Sequence, residues 1–222
     1  MTAVLGAALV GCGPNPDGAA TTPPTPSAEQ SVWALGDSQA SSMQGRGPGW
    51  AGLLGPAVHN SAWRSSGAGF VTPGTLTGRD IVEEAAWWLD RYPAPERFLV
   101  VAGVNDLGTG RSVTEMLGGV DELEALAADA GVEVWYLGYP PFVKGSYLRP
   151  HLAERLTFNA ALAARVGDRY RSCDEELLGS DGVWLDEAFR LNASDEVHLG
   201  EAGIDELTEC MAERFGPPLT HD

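Results

Sequence analysis

The hydroxyl best placed to act as a nucleophile is Ser38, at the end of Trp33-Ala34-Leu35-Gly36-Asp37-Ser38, where an apolar run stops at a glycine and a carboxylate. A strand that delivers a serine into the first turn of the next helix holds its oxygen at the rim of a sheet. There the helix N-terminus and free backbone N–H groups favour developing negative charge. Taken alone, Gly-Asp-Ser is equally a turn with an N-cap. A serine needs a base, and the chain has four histidines. His59 lies inside an expected strand, His151 follows a proline at an expected helix start, and His221 is in the terminal tail, so these read as packing or solvent residues. His198 differs, because it stands three residues after Asp195 in Ser194-Asp195-Glu196-Val197-His198-Leu199-Gly200. In a tight turn this spacing lets Asp195 hold one ring nitrogen while the other faces a hydroxyl, as a Ser-His-Asp triad requires. The competing reading is a helix N-cap followed by a surface histidine. Glu196 and Asp186 read as solvated carboxylates.

An acyl-transfer site also needs donors for an oxyanion. The backbone N–H groups of Ser38 and Gly67 and the side-chain amide of Asn105 are the candidates. Gly67 lies in Ser65-Ser66-Gly67-Ala68-Gly69 and Asn105 in Gly103-Val104-Asn105-Asp106. Glycine at 67 suits a close approach of substrate to the backbone, although Gly69 competes for that role. Asn105 by itself is also an ordinary turn residue.

The elements that must carry these residues follow from hydrophobic periodicity. Strands are expected over Val32–Leu35, Ala57–Trp63, Phe98–Ala102 and Val132–Leu137, with Val183-Trp184-Leu185 as a short last strand. Helices are expected over Asp80–Tyr92, from Val113 to Gly131, from Leu152 to Tyr170, and from Ile204 to Phe215 before Gly216-Pro217. Such alternation implies right-handed βαβ crossovers and a parallel sheet covered on both faces. Ligands then bind beyond the carboxyl ends of the strands. Ser38, Gly67, Asn105 and the loop Tyr139–Phe142 each follow a strand and should share that rim. Trp50, Trp63, Phe70, Tyr139 and Phe142 are candidates for a sugar platform, with Tyr139 and Phe142 the expected substrate-binding pair; core packing is the alternative for at least half of the five.

Composition narrows the partners. The 222 residues carry a net charge of −17, with no basic stripe for nucleic acid or an anionic membrane surface. Lys144 is the single lysine and sits in an expected loop, which disfavours a Schiff-base enzyme. Gly45-Arg46-Gly47-Pro48-Gly49 follows no strand directly and has the wrong spacing for a dinucleotide fingerprint. No cofactor or metal is expected. Residues 1–12 are uncharged apart from the terminus and end Leu9-Val10-Gly11-Cys12, which resembles the lipobox of bacterial lipoproteins. That resemblance implies lipidation at Cys12 and a cell-surface location, although a basic n-region is missing and the true start then lies upstream of Met1. Residues 13–30, rich in Pro, Thr, Ala and Gly, read as a flexible linker. Residues 31–217 form the domain and 218–222 a tail. With Cys12 lipidated, Cys173 and Cys210 remain as an even pair in an exported chain, so a disulfide is expected, with two buried thiols as the alternative. Neither cysteine has a Cys or His partner at zinc-ligand spacing.

Gly36-Asp37-Ser38, the Gly67 region, Gly103-Val104-Asn105-Asp106 and Asp195-Glu196-Val197-His198 together resemble, in order, the blocks of the SGNH (GDSL-like) hydrolases. The resemblance spans about Ser31 to Phe215. It implies a flavodoxin-like three-layer α/β/α sandwich with a five-stranded parallel sheet, and metal-free ester hydrolysis. Ser38 would be the nucleophile, His198 the base, Asp195 its orienter, and Ser38, Gly67 and Asn105 the oxyanion donors. Gln39 stands where many members have leucine, a difference expected to matter little for chemistry. The expected reaction is hydrolysis of short-chain carboxylic esters, such as acetyl esters of polysaccharide, through an acyl-enzyme at Ser38. An acyltransferase using the same acyl-enzyme and a non-catalytic carbohydrate-binding module are the alternatives. The oligomeric state is not legible in the sequence.

Overall fold

The computed structural model describes residues 25–40, 50–62, 65–193, 195 and 197–216. Cys12 and the segment 1–12, most of the linker 13–30, the glycine-spaced stretch 45–49, Trp63, and the tail 218–222 with His221 lie outside the described residues.

The apolar runs become strands β1 (Val32–Gly36), β2 (Val58–Asn60), β3 (Arg97–Val101) and β4 (Glu133–Leu137). With a short fifth strand, β5 (Tyr170–Arg171), they pair in parallel, and the sheet order is β2-β1-β3-β4-β5. All of β1 is buried, as a strand covered on both faces must be. Helices α2 (Ile81–Leu89), α4 (Val113–Ala130) and α5 (Leu152–Val166) pack side by side as one layer. Helices α1 (Trp50–Leu53), α6 (Asp174–Leu177) and α7 (Glu201–Phe215) form the other, and the short α3 (Val104–Gly108) follows β3. Two helix starts are fixed by reciprocal capping: Asp80 with Glu83 on α2, and Ser112 with Glu115 on α4. The core at the β2 side is aromatic, with Trp33, His59, Trp88 and Phe98 in mutual contact. His59 is thus a packing residue, its Nδ1 2.9 Å from the Ser61 hydroxyl.

The last strand is not where periodicity puts it. β5 is Tyr170–Arg171, which pairs with β4 through Tyr136↔Tyr170. The apolar pattern that seems to carry one helix from Leu152 to Tyr170 is broken at Gly167, whose φ of +60° ends α5 and leads into a single 3₁₀ turn. Val183-Trp184-Leu185 contributes only one antiparallel bridge, Leu178↔Leu185. A two-residue strand is too short for alternation to reveal it. The second strand is also shorter than expected, because the chain turns at Ser61.

Candidate active site

Ser38 lies two residues beyond the end of β1, in a turn over Asp37–Ala40 closed by Ala40 N–H donating to the Asp37 carbonyl at 3.2 Å. The Asp37 side chain tightens it by accepting from the Gln39 N–H at 2.9 Å. Residues 38–40 belong to this turn, and the helix expected to follow Ser38 falls on 41–49, which lie outside the described residues. Among the described residues the turn sets the position of Ser38, and the next described helix, α1, begins at Trp50.

His198 arrives on the loop before α7, where its Nε2 is 2.8 Å from Ser38 Oγ. Its Nδ1 is 3.0 Å from both Asp195 oxygens. A carboxylate only accepts, so Nδ1 carries the proton and Nε2 is left to accept from the serine. Asp195 shapes its own loop as well, since Oδ1 accepts the N–H groups of Val197 at 2.9 Å and His198 at 2.7 Å. Burial works to raise the Asp195 pKa, but these two backbone donors and the adjacent imidazole outweigh it and hold the carboxyl below its ordinary value. Arg190 braces the same loop by donating to the carbonyls of Ala193 and Asp195, while Leu191 N–H donates to the His198 carbonyl.

Strand order brings the oxyanion candidates to one edge. β1 lies between β2 and β3, so the segments following all three leave from the same carboxyl end. Asn105, near the start of α3, donates one amide hydrogen to the Ala68 carbonyl at 2.7 Å, which ties it to the Gly67 loop and leaves the second amide hydrogen. Between the two competing glycines the hydrogen bonds discriminate. Gly69 N–H is spent on the Thr72 carbonyl at 2.8 Å, and a side-chain carbon there would lie 2.4 Å from the Asp106 carboxylate. Gly69 is therefore glycine to admit Asp106, which accepts from Phe70 N–H at 2.7 Å and Val71 N–H at 3.1 Å. Gly67 has a φ of +80°, which favours glycine, and its N–H makes no hydrogen bond among the described residues.

Behind the serine lies a buried acid. Burial, with a contribution from the nearby Asp106, lifts the Asp37 carboxyl from 3.8 to about 7 against the lowering pull of Gln39 N–H. The Tyr139 hydroxyl also faces it, yet neither that hydroxyl nor Asp37 Oδ2 completes a hydrogen bond of ordinary geometry. A carboxyl whose pKa is raised on folding stabilises the fold fully below its unfolded pKa, and this contribution is lost as pH rises to the folded value. Asp37→Asn keeps the acceptor for Gln39 N–H and cannot ionise. Its stability relative to wild type should therefore climb by up to about 4 kcal/mol between pH 4 and 8, taking about 1.4 kcal/mol per pKa unit. Urea titrations of both proteins across that range check it, and a constant difference would refute it.

Tyr139 and Phe142 do not line the site. Each is 3% exposed, and Trp50 and Phe70 are buried as well, so these rings are core beneath the rim rather than a platform upon it. Periodicity and loop position do not report depth. The neighbour of the serine that its own sequence does not mark is Gln39, which is buried and hydrogen-bonded to the backbone on either side of His198: Nε2 donates to the Val197 carbonyl at 2.8 Å, and Oε1 accepts from Leu199 N–H at 3.2 Å. Cys173 and Cys210 are joined by a disulfide, which pins α7 to the start of α6.

No protein-family model and no curated protein sequence matches this chain. Solved structures do match in fold. A carbohydrate acetylesterase from Sinorhizobium meliloti is 16% identical with a TM-score of 0.59, the match covering 84% of this chain and 98% of the other. An aryl esterase from M. smegmatis is 15% identical with a TM-score of 0.59, covering 83% and 97%. A GDSL-like lipase from Bacteroides thetaiotaomicron is 14% identical with a TM-score of 0.57, covering 86% and 90%. The same fold occurs in the OSK domain of Drosophila Oskar, 13% identical with a TM-score of 0.59, covering 82% and 87%.

Proposed function

We propose that this chain, which has the flavodoxin-like fold of the SGNH hydrolases, is itself a serine esterase of that kind. The observation that carries the reading is the continuous chain Ser38 Oγ, His198 Nε2, His198 Nδ1, Asp195, with contacts of 2.8 and 3.0 Å. Fold alone does not name a reaction; the site does. Ser38 Oγ attacks the ester carbonyl carbon as its proton passes to His198 Nε2, and Asp195 stabilises the imidazolium that results. The negative oxygen is met by the N–H groups of Ser38 and Gly67 and by the second amide hydrogen of Asn105. Collapse of the tetrahedral intermediate breaks the ester C–O bond, His198 returns its proton to the departing alcohol, and the acyl group stays on Ser38. Water then repeats the cycle, with His198 as base, to release the acid.

Short acyl groups, with acetyl esters of carbohydrate foremost, are the proposed substrates. Support comes from the likeness in fold to a carbohydrate acetylesterase and to an aryl esterase. A disulfide near the protein's carboxyl end fits export to an oxidising space, consistent with a lipid anchor at Cys12.

The base is tested through its proton. An imidazole ordinarily titrates near ~6.5, and only its neutral form accepts, so kcat/KM for an acetyl ester should rise with pH through one ionisation. The Asp195 carboxylate favours the imidazolium, so Asp195→Asn should move that inflection to lower pH and lower the plateau. A profile indifferent to His198→Ala would overturn the reading.

A further inference from the structure

We infer that Gln39 is a positioning residue for the reaction, the part of the serine turn that holds His198 in line with Ser38. The inference rests on the triad reading above. Ser38 and His198 are separated by 160 residues of chain, and the hydrogen bond between them cannot by itself hold two loops at catalytic distance. Gln39, the residue next to the nucleophile, spans the gap. Its amide takes the carbonyl before His198 and the N–H after it, the pairing by which one residue of a parallel ladder grips both sides of its neighbour. The orientation of the amide is fixed by its partners, because Val197 offers only an acceptor and Leu199 only a donor. Its own backbone is fixed in turn, with Gln39 N–H on Asp37 Oδ1 and the Gln39 carbonyl accepting from Trp50 N–H at 3.3 Å. At 5% exposure the amide has almost no water to compete for these bonds.

The family's common leucine would fill this space and hold nothing. Through Gln39, a displacement of the serine turn carries the histidine loop with it, so the distance between Oγ and Nε2 is conserved when both move. Gln39 touches no reacting atom in this role. Misplacement by about 1 Å of a group engaged in proton transfer costs up to about 10²-fold, which sets the scale of the expected effect.

Gln39→Met keeps the length and removes both bonds. The expected result is a fall of about 10- to 100-fold in kcat for an acetyl ester with KM within about twofold, and an equal slowing of Ser38 phosphonylation by a fluorophosphonate. Gln39→Glu supplies the conservative variant and does not depend on the methionine protein folding well. The Tyr139 hydroxyl faces the new carboxyl, Asp37 lies beyond that hydroxyl, and His198 stands between the two residues it bonds. When protonated it offers the same donor and acceptor as the amide, so its activity relative to wild type should recover as pH falls, while that of Gln39→Met should not. A methionine variant within twofold of wild type in kcat, a change confined to KM, or a glutamate-to-wild-type ratio flat with pH would overturn the inference. Ser38→Ala measured alongside separates the two claims: activity surviving there removes the triad reading, whereas activity lost there and retained in both Gln39 variants removes only the role of Gln39.

Discussion

Ser38→Ala is expected to lower hydrolysis of a short-chain aryl ester by about 10⁴- to 10⁶-fold, the range for loss of the nucleophile in triad hydrolases. The size follows from what remains. On the proposed mechanism, without the hydroxyl His198 and Asp195 have no group to activate for acyl transfer, and the amide donors near Gly67 and Asn105 are left only to polarise a carbonyl toward water. The methyl group at 38 removes one hydrogen-bonding partner of His198 Nε2 and leaves the Asp195 contacts to the ring and to the backbone of 197 and 198 untouched. Substrate KM should therefore change little, and covalent labelling by a fluorophosphonate should vanish. A variant retaining more than about 10⁻² of wild-type turnover would place the nucleophile elsewhere.

The second large effect concerns stability. Cys173 and Cys210 are 37 residues apart, and both Asp195 and His198 lie in the loop that their disulfide closes. Chain-entropy arguments assign about 4 kcal/mol to such a closure. For a domain of this size that corresponds to about 10 °C in melting temperature. The double variant Cys173→Ser/Cys210→Ser should show this loss by calorimetry. Activity per folded molecule should fall less, because the loop carrying the base is also held by Arg190, Leu191 and Gln39. Equal melting temperatures for the double variant and wild type would rule the effect out.

Much of the architecture was legible because it is written in repeating patterns. β1 is a continuous apolar run, as are β3 after Arg97 and β4 after Glu133, and the α4 stripe from Val113 ends at Gly131, whose φ is +72°. The pairing of Asp195 with His198 was legible for another reason: three residues of spacing suffices to describe a turn, and the turn is what Asp195 builds by accepting from Val197 and His198. Contacts made across long separations left no such trace. Nothing local to Gln39 announces that its amide meets residues 197 and 199, nothing local to Tyr139 or Phe142 says that they lie under the rim, and Gly69 is explained only by Asp106. Tyr170 and Arg171 were hidden by their shortness and by an apolar phase that runs on from α5.

The 2.8 Å contact between Ser38 and His198 joins the first strand of the sheet to the threshold of its last helix. A chain made or threaded from its amino end presents the hydroxyl early and the imidazole late. On the proposed reading, every intermediate length short of residue 198 lacks the base that Ser38 needs, however well its sheet has formed. On that reading hydrolytic competence would belong to the finished fold alone, and the appearance of turnover would be a clock for closure of the final loop.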